Sequence, residues 1–274
     1  MFTSNPFANL SATIPTAYMQ GYIILMVLLV MGGTILDMLH KKSAQYFFEN
    51  AKKAQKNAKR SLSGGEKVAI AASVLVKEVL TSGEFNNPRR RLSHLLTMWG
   101  TIIFIVTTAI MIFSPESTST LLPQLWHIGA LMLAVGGYWF WFAIRVDVAA
   151  EGLSSFRLER ADLFILSLLA TSTFALIWSF TGGGATVFFA LFILSSTVLF
   201  GGVYWSKFAH MFFKPAAAYQ KKIIMADGSR ENLPPDYDLT DPEVQRKFPD
   251  VPMYMGKNPT NMGLCIKAER PNHY

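Results

Sequence analysis

Histidine is the residue type through which this sequence could carry redox chemistry. Four of its five histidines lie at or inside the ends of apolar segments: His40, His94, His127 and His210. An imidazole at membrane depth is a candidate functional group, because burying an ionisable side chain without a partner is costly. Two histidines on neighbouring helices can hold a haem iron between them as axial ligands. The fifth histidine, His273, lies in a polar C-terminal stretch and is interpreted as incidental.

The positions of these histidines along the apolar segments limit which of them can act together. His40, His94 and His210 share one level, whereas His127 lies at the opposite ends of the segments. About 17 to 20 helical residues separate the two levels, or roughly 25 to 30 Å, which a single iron cannot bridge. The spacing favours one haem held by His94 and His210, with His40 nearby.

The role of His127 stays open at this point. An outer haem would need His127 together with a non-histidine ligand such as methionine. His127 could instead donate a hydrogen bond to a quinone carbonyl. For all four histidines the alternative is an interfacial side chain that binds nothing.

The elements that position these histidines are five apolar segments. The chain is 51% hydrophobic and 16% charged, whereas soluble domains carry about 25% charged residues. A helix needs about 20 mainly apolar residues to cross a bilayer, and five stretches satisfy this. The sequence therefore predicts an all-α membrane protein with five transmembrane helices, at residues 17–39, 95–113, 125–144, 163–180 and 185–205.

Lysine and arginine predict the orientation of these helices. Residues 41–93 contain twelve, residues 145–161 contain three and residues 206–274 contain ten, which together are all 25. The alternating neutral and basic connections predict an outside N-terminus and a cytoplasmic C-terminus in the inner membrane. Five tryptophans near span ends fit an interfacial aromatic belt: Trp126, Trp139, Trp141, Trp178 and Trp205.

The chain divides into four regions on this basis: residues 1–40, 41–93, 94–220 and 221–274. Within the second, residues 43–60 are rich in Ala and Lys and are predicted to be helical. Gly64 and Gly65 break the run, and residues 66–80 resume with a helical apolar stripe. This stripe fits a helix on an anionic membrane surface or a partner-docking helix. The polar tail after about residue 227 fits an extended strap across another protein, or a disordered tail.

Several other chemistries find no support in the residues. The single cysteine, Cys265, excludes a cysteine-ligated iron–sulfur cluster within this chain. No phosphate loop, nucleophile elbow or HExxH motif occurs, and Asp162 with its acidic neighbours fits a solvated turn. Paired charges or interrupted helices, which would favour a transporter, are missing from the spans. The net charge of +7 follows from membrane topology rather than from binding nucleic acid.

Two stretches carry a resemblance to a known family. RRRLSHLLTMWGTIIF, at residues 89–104, resembles the start of helix 2 in the five-helix membrane subunits of the nitrate reductase gamma family. WSKFAHMFFKPAAAY, at residues 205–219, resembles the end of helix 5 in the same group. The resemblance covers roughly residues 17–220. It extends to the membrane subunits of heterodisulfide reductase-like, dissimilatory sulfite reductase-associated and quinone-interacting complexes.

The resemblance implies an electron-transfer subunit rather than a stand-alone enzyme. Such subunits bind haem b through histidines, here His94 and His210 with His127 as a possible third. They exchange electrons between the quinone pool and a cytoplasmic flavin or iron–sulfur enzyme, which would dock on residues 41–93 and 221–274. The narrower resemblance is to the membrane anchor associated with dissimilatory adenylylsulfate reductase. Because His127 has no outer histidine partner, one haem, two or none remain open, and a cofactor-free anchor is the alternative.

Overall fold

The structure is a computed structural model in which the described residues form helices and no strands. Because these residues form no strands, the predicted all-α fold class is confirmed for the described part of the chain. The side chains of residues 41, 43, 44 and 210 and the tail beyond residue 247 lie outside that part. The described residues are 2–85, 87–117, 119–145, 152, 154, 156–206, 208, 210–233 and 241–247.

The described residues form ten α-helices, numbered here in chain order, and three short helical segments of other types. The α-helices are α1 (Pro6–Leu10), α2 (Thr16–Lys41), α3 (Ser43–Lys56), α4 (Gly64–Ser73), α5 (Pro88–Phe113), α6 (Leu121–Ala143), α7 (Leu163–Phe180), α8 (Val187–Gly201), α9 (His210–Ala226) and α10 (Pro242–Lys247). A π-helical segment, Val74–Leu80, continues α4, and 3₁₀ turns cover Arg160–Asp162 and Val203–Trp205.

In the described part of the chain, four helices are long and apolar enough to cross a membrane, so the chain is a multi-pass membrane protein. They are Thr16–His40, Pro88–Phe113, Leu121–Ala143 and Arg160–Phe180. The predicted fifth span coincides with α8, which is apolar but has only 15 residues. At 1.5 Å per residue α8 is about 23 Å long, less than the ~30 Å hydrocarbon core.

Helices α5 and α6 form the most closely packed pair, and glycine allows their backbones to touch. A Cβ added at Gly100 would lie 2.6 Å from the backbone nitrogen of Leu133, and one at Gly129 would lie 2.8 Å from that of Phe104. A Cβ at Gly136 would lie 2.9 Å from the carbonyl oxygen of Ser93. Small residues at such positions are the usual means by which helices associate in lipid.

Aromatic side chains fill the end of the bundle where the connections carry no lysine or arginine, here named the neutral end. Trp126 and Trp178 are completely buried there. Trp126 donates to Thr108 Oγ1 at 2.8 Å, and Trp178 donates to the Gly184 carbonyl at 2.8 Å. The interfacial role predicted for these two tryptophans is therefore wrong, and burial at the opposite end of the bundle makes it wrong for Trp141 as well. Helix α1 closes this end by packing Phe7 against both rings.

An ion pair fixes the opposite end of the bundle, here named the basic end. Arg145, after α6, forms a two-pronged contact with Asp162, and its Nε lies 2.9 Å from Asp162 Oδ1. The guanidinium also lies 4.2 Å from the centre of the Trp141 ring and donates to the Arg157 carbonyl at 2.6 Å. Both charged side chains are largely buried. The predicted solvated turn is thus wrong for Asp162.

Helices α3, α4 and α9 form a further layer beside the basic end. The helix predicted at residues 43–60 is confirmed at Ser43–Lys56. The helix break predicted at Gly64 and Gly65 lies just before them, since both glycines belong to the first turn of α4. This helix begins there because Ser63 and Glu66 form a capping box. Lys222 of α9 pairs with Glu78 at 2.8 Å, which joins α9 to the π-helical segment.

The α5–α6 contact leads to a first prediction. Replacing Gly129 with Ala should lower the free energy of unfolding by about 1–3 kcal/mol, because the new methyl group meets backbone that cannot move aside. Gly32→Ala is the matched control, since nothing lies within 4 Å of a Cβ there. It should be neutral or stabilising by up to about 1 kcal/mol. Unfolding by SDS in mixed micelles, followed by circular dichroism, measures both; equal effects would contradict the packing argument.

The buried ion pair leads to a second prediction. Asp162→Ala should destabilise the protein by about 3 kcal/mol or more, because it leaves the Arg145 guanidinium buried without its carboxylate. Arg157→Ala removes an exposed ion pair with Glu159 and should cost less than about 1 kcal/mol. The same SDS titration compares the two variants. A loss for Asp162→Ala no larger than that for Arg157→Ala would refute the role assigned to the pair.

Candidate functional site

The candidate site begins with a tight turn that ends the π-helical segment. Thr81 N–H donates to the Val76 carbonyl at 3.1 Å, and Gly83 N–H donates to the Lys77 carbonyl at 2.6 Å. A Cβ at Gly83 would lie 2.5 Å from that oxygen, so only glycine fits. Ser82, between them, is fully buried and has φ +50°, a left-handed conformation that non-glycine residues rarely adopt.

This turn holds His94, the seventh residue of α5. Ser82 Oγ lies 2.8 Å from His94 Nδ1, and the Phe85 ring lies 4.9 Å from the imidazole. His94 otherwise remains exposed on the surface of the chain. With Nδ1 bonded to Ser82, Nε2 is the nitrogen available to a ligand. In metal sites the second imidazole nitrogen commonly makes such a hydrogen bond, which fixes the ring orientation.

Two cationic groups surround the same turn. The Lys214 ammonium lies 5.2 Å from the centre of the Phe85 ring and pairs with Glu84 at 2.5 Å. The Arg90 guanidinium lies 5.9 Å from the same ring. Glu84 already neutralises Lys214, so an anionic group beside His94 would have to compete with that carboxylate for the lysine.

Lys214 also locates the start of α9 relative to His94. His210 is the first residue of α9, one turn before Lys214. Because Lys214 contacts Glu84 and Phe85, the first turns of α9 and of α5 meet at the same Ser82–Phe85 turn. The two helix ends on which the predicted ligands stand thus both contact this turn. The side chain of His210 lies outside the described part of the chain.

His40 lies at another position of the basic end. It is exposed at the end of α2, and its ring meets the Tyr204 ring edge-to-face at 5.8 Å. One turn earlier Asp37 is buried. Gly33 brings α2 against the 3₁₀ turn after α8, since a Cβ there would lie 2.9 Å from Val203 Cβ.

His127 is enclosed at the neutral end, with both imidazole nitrogens bonded inside the protein. Nδ1 lies 2.6 Å from the Pro123 carbonyl, which can only accept, so Nδ1 carries the proton. Nε2 therefore accepts from Ser179 Oγ, 2.7 Å away. Phe2 packs its ring 5.0 Å from the imidazole. A haem or quinone at His127 would have to displace Ser179.

The pattern of residue types alone did not reveal the contribution of Ser82 and Phe85. Both precede the α5 span, in a stretch without apolar periodicity, and Ser82 acts through a backbone conformation that its residue type disfavours. The Thr81–Gly83 turn and the Asn87–Pro88 helix cap were the available signals. Within the described residues, no cluster of three or more His, Cys, Asp or Glu side chains could hold a bare metal ion.

Comparison of the chain with protein-family models, with curated proteins and with solved structures finds no match.

The Ser82 turn leads to a third prediction. Ser82→Gly removes the hydroxyl but relieves the left-handed strain, worth about 1–2 kcal/mol, so it should leave stability nearly unchanged. Ser82→Ala loses the same hydrogen bond but keeps the strain, so it should be about 1–2 kcal/mol less stable than Ser82→Gly. In both variants His94 should react faster with diethyl pyrocarbonate than in the wild type. Unchanged His94 reactivity would contradict the assigned contact.

Proposed function

We propose that this protein is the membrane subunit of a respiratory redox complex, which exchanges electrons between quinone and a cytoplasmic flavin or iron–sulfur enzyme through haem b. The observation that carries this proposal is the meeting of the α5 and α9 starts at the Ser82–Phe85 turn. His94 and His210 stand on these two helix ends. The family resemblance of residues 89–104 and 205–219 agrees with this assignment.

The described residues around His94 suit an imidazole that would hold a haem iron. Ser82 holds Nδ1 and orients the ring, which leaves Nε2 for the iron. Arg90 would supply positive charge for propionate groups, as would Lys214 if it exchanged Glu84 for a propionate. A bound haem b would supply a one-electron redox couple. We assign the second ligand to His210 and a neighbouring position to His40. His127 fits a ligand role poorly, which favours one haem over two.

The orientation proposed for the chain follows the lysine and arginine distribution. The basic end would face the cytoplasm and the neutral end the outside of the inner membrane. Helix α8 would serve as the fifth span, with the following 3₁₀ turn, Val203–Trp205, lengthening it toward the ~30 Å core. The His94 site would then lie at the cytoplasmic membrane boundary, accessible both to a soluble electron donor and to quinone in the bilayer.

The soluble partner would dock on the layer formed by residues 41–93 and 221–274. Helix α3 presents three exposed lysines to it, Lys52, Lys53 and Lys56. A cavity of about 170 Å³ lies between α3 and the end of α9, lined by Asn50, Gln220 and other residues. The narrower resemblance makes an adenylylsulfate reductase the first partner to test, with the membrane protein as its route to quinone.

A cofactor-free anchor is the second candidate, and the geometry of His127 favours it. Both nitrogens of that imidazole serve internal packing, so a histidine at a span end in this chain need not bind a cofactor. In this case the helices would only hold the soluble reductase at the membrane.

A reduced-minus-oxidised visible spectrum of the detergent-purified protein tests the proposal. We expect a b-type spectrum with about one haem per chain by pyridine haemochrome assay, since one bis-histidine site is proposed. The spectrum should be lost in His94→Ala and in His210→Ala. His273→Ala, outside the proposed site, is the matched control and should keep it.

Folded protein that contains no haem, made in a haem-competent host, would contradict the redox proposal and favour the cofactor-free anchor. Deletion of residues 234–274 then tests the anchor, because it leaves the Asn57–Glu231 contact of the basic layer intact. An anchor of this kind should release the reductase into the soluble fraction when the tail is removed.

A further inference from the structure

An exposed apolar face runs along α4 and the π-helical segment, outside the four spans. Its large side chains are widely exposed: Val68 69%, Leu75 54%, Val76 51% and Leu80 37%. Val68, Ala72, Leu75 and Val76 follow the i, i+4, i+7, i+8 spacing of a single helical stripe. We name these residues, with Leu80, the α4–π face. Exposing them to water would be costly, at about 25 cal/mol per Å² of apolar surface.

The opposite side of the same helix carries its protein contacts and its negative charges. Val74 is buried, and Glu78 pairs with Lys222 of α9 at 2.8 Å. Glu66 pairs with Arg60 at 2.8 Å. Two exposed lysines, Lys67 and Lys77, remain, and neither has an ion pair within the described residues. The α4–π face is therefore apolar with positive charge beside it.

The end of the π-helical segment touches a membrane span. The Leu80 carbonyl accepts a hydrogen bond from Trp99 Nε1 at 3.3 Å, and the Thr81 carbonyl accepts one from Arg91 Nε at 2.8 Å. Both donors belong to α5, inside the span Pro88–Phe113. The α4–π face is thus continuous with the outer surface of α5, where Leu92 is 48% exposed.

We propose that the α4–π face binds the phospholipid bilayer, lying in the leaflet interface at the basic end. The aliphatic side chains would enter the acyl boundary, and Lys67 and Lys77 would contact anionic headgroup phosphates. The contact with a membrane span favours lipid over a soluble protein as the partner of this face. A soluble protein that covered the whole face would have to reach Leu80, which contacts Trp99 inside the α5 span. The sequence left lipid and protein as equal alternatives for this stripe. The proposal holds for both candidate functions described above.

Depth-dependent quenching tests the proposal on the full chain. Single cysteines at positions 68 and 75, in a Cys265→Ser background, carry a fluorescent label in nanodiscs of phosphatidylcholine and phosphatidylglycerol. Doxyl-labelled lipid should quench both labels, and aqueous iodide should not. Position 28, 58% exposed on the α2 span, is the lipid-facing control. Position 243, whose side chain is 82% exposed, is the aqueous control.

Quenching of both labels by iodide, with none by doxyl lipid, would overturn the proposal. Iodide protection that appears only after a soluble protein is added would overturn it in favour of partner docking.

The proposed contact of Lys67 and Lys77 with headgroup phosphates is tested by comparing anionic with zwitterionic lipid. Brominated phosphatidylglycerol should quench the label at position 75 more than brominated phosphatidylcholine does at equal mole fraction. Each lysine near an anionic surface contributes about 1 kcal/mol, or about fivefold in local enrichment. Lys67→Gln with Lys77→Gln should abolish the preference, whereas arginine at both positions should retain it. An unchanged preference in the glutamine variant would refute the headgroup contact.

Discussion

Helices in a bilayer gain little from the hydrophobic effect when they associate, because lipid tails are as apolar as leucine. Close backbone contact has to supply the attraction, and in this protein it is concentrated between α5 and α6. Gly100, Gly129 and Gly136 allow the two helices to touch, and the Ser93 hydroxyl donates to the Gly136 carbonyl at 2.8 Å across the same contact. Helix α7 packs beside this pair through Gly137. The position of His94, one residue after Ser93, depends on this contact.

Polar groups at the two ends of the bundle are satisfied in different ways. At the neutral end, His127 and the two buried tryptophans place their ring nitrogens against partners within the protein, which makes this end a packed core. At the basic end, Arg145 and Asp162 satisfy each other. His94 differs from His127 because, among the described residues, its hydrogen bond is to Nδ1 alone and comes from a strained serine. Strain of this kind is costly and is concentrated at functional sites, which is why the basic end carries the proposed chemistry.

Much of the membrane architecture could be predicted from local patterns. Long apolar segments predicted the four spans, because the bilayer thickness sets a minimum helix length. The Ala- and Lys-rich composition predicted α3. The histidines were identified by their type and their place in these segments. Prediction was wrong for Trp126, Trp141, Trp178 and Asp162, since a position near a span end does not reveal whether a neighbouring element covers it. The fifth span stays a prediction, as α8 is shorter than its apolar sequence indicated.

Composition, apolar segment length and charge distribution by themselves determined that this protein is helical and resides in a membrane, because the bilayer acts on each segment separately. Tertiary structure alone decided which imidazole nitrogens are already bonded, which charges are buried, and that the Ser82–Phe85 turn joins the starts of α5 and α9. It also decided that the α4–π face continues the surface of a span. These features depend on residues far apart in the chain, and their partners are set by packing rather than by any local periodicity.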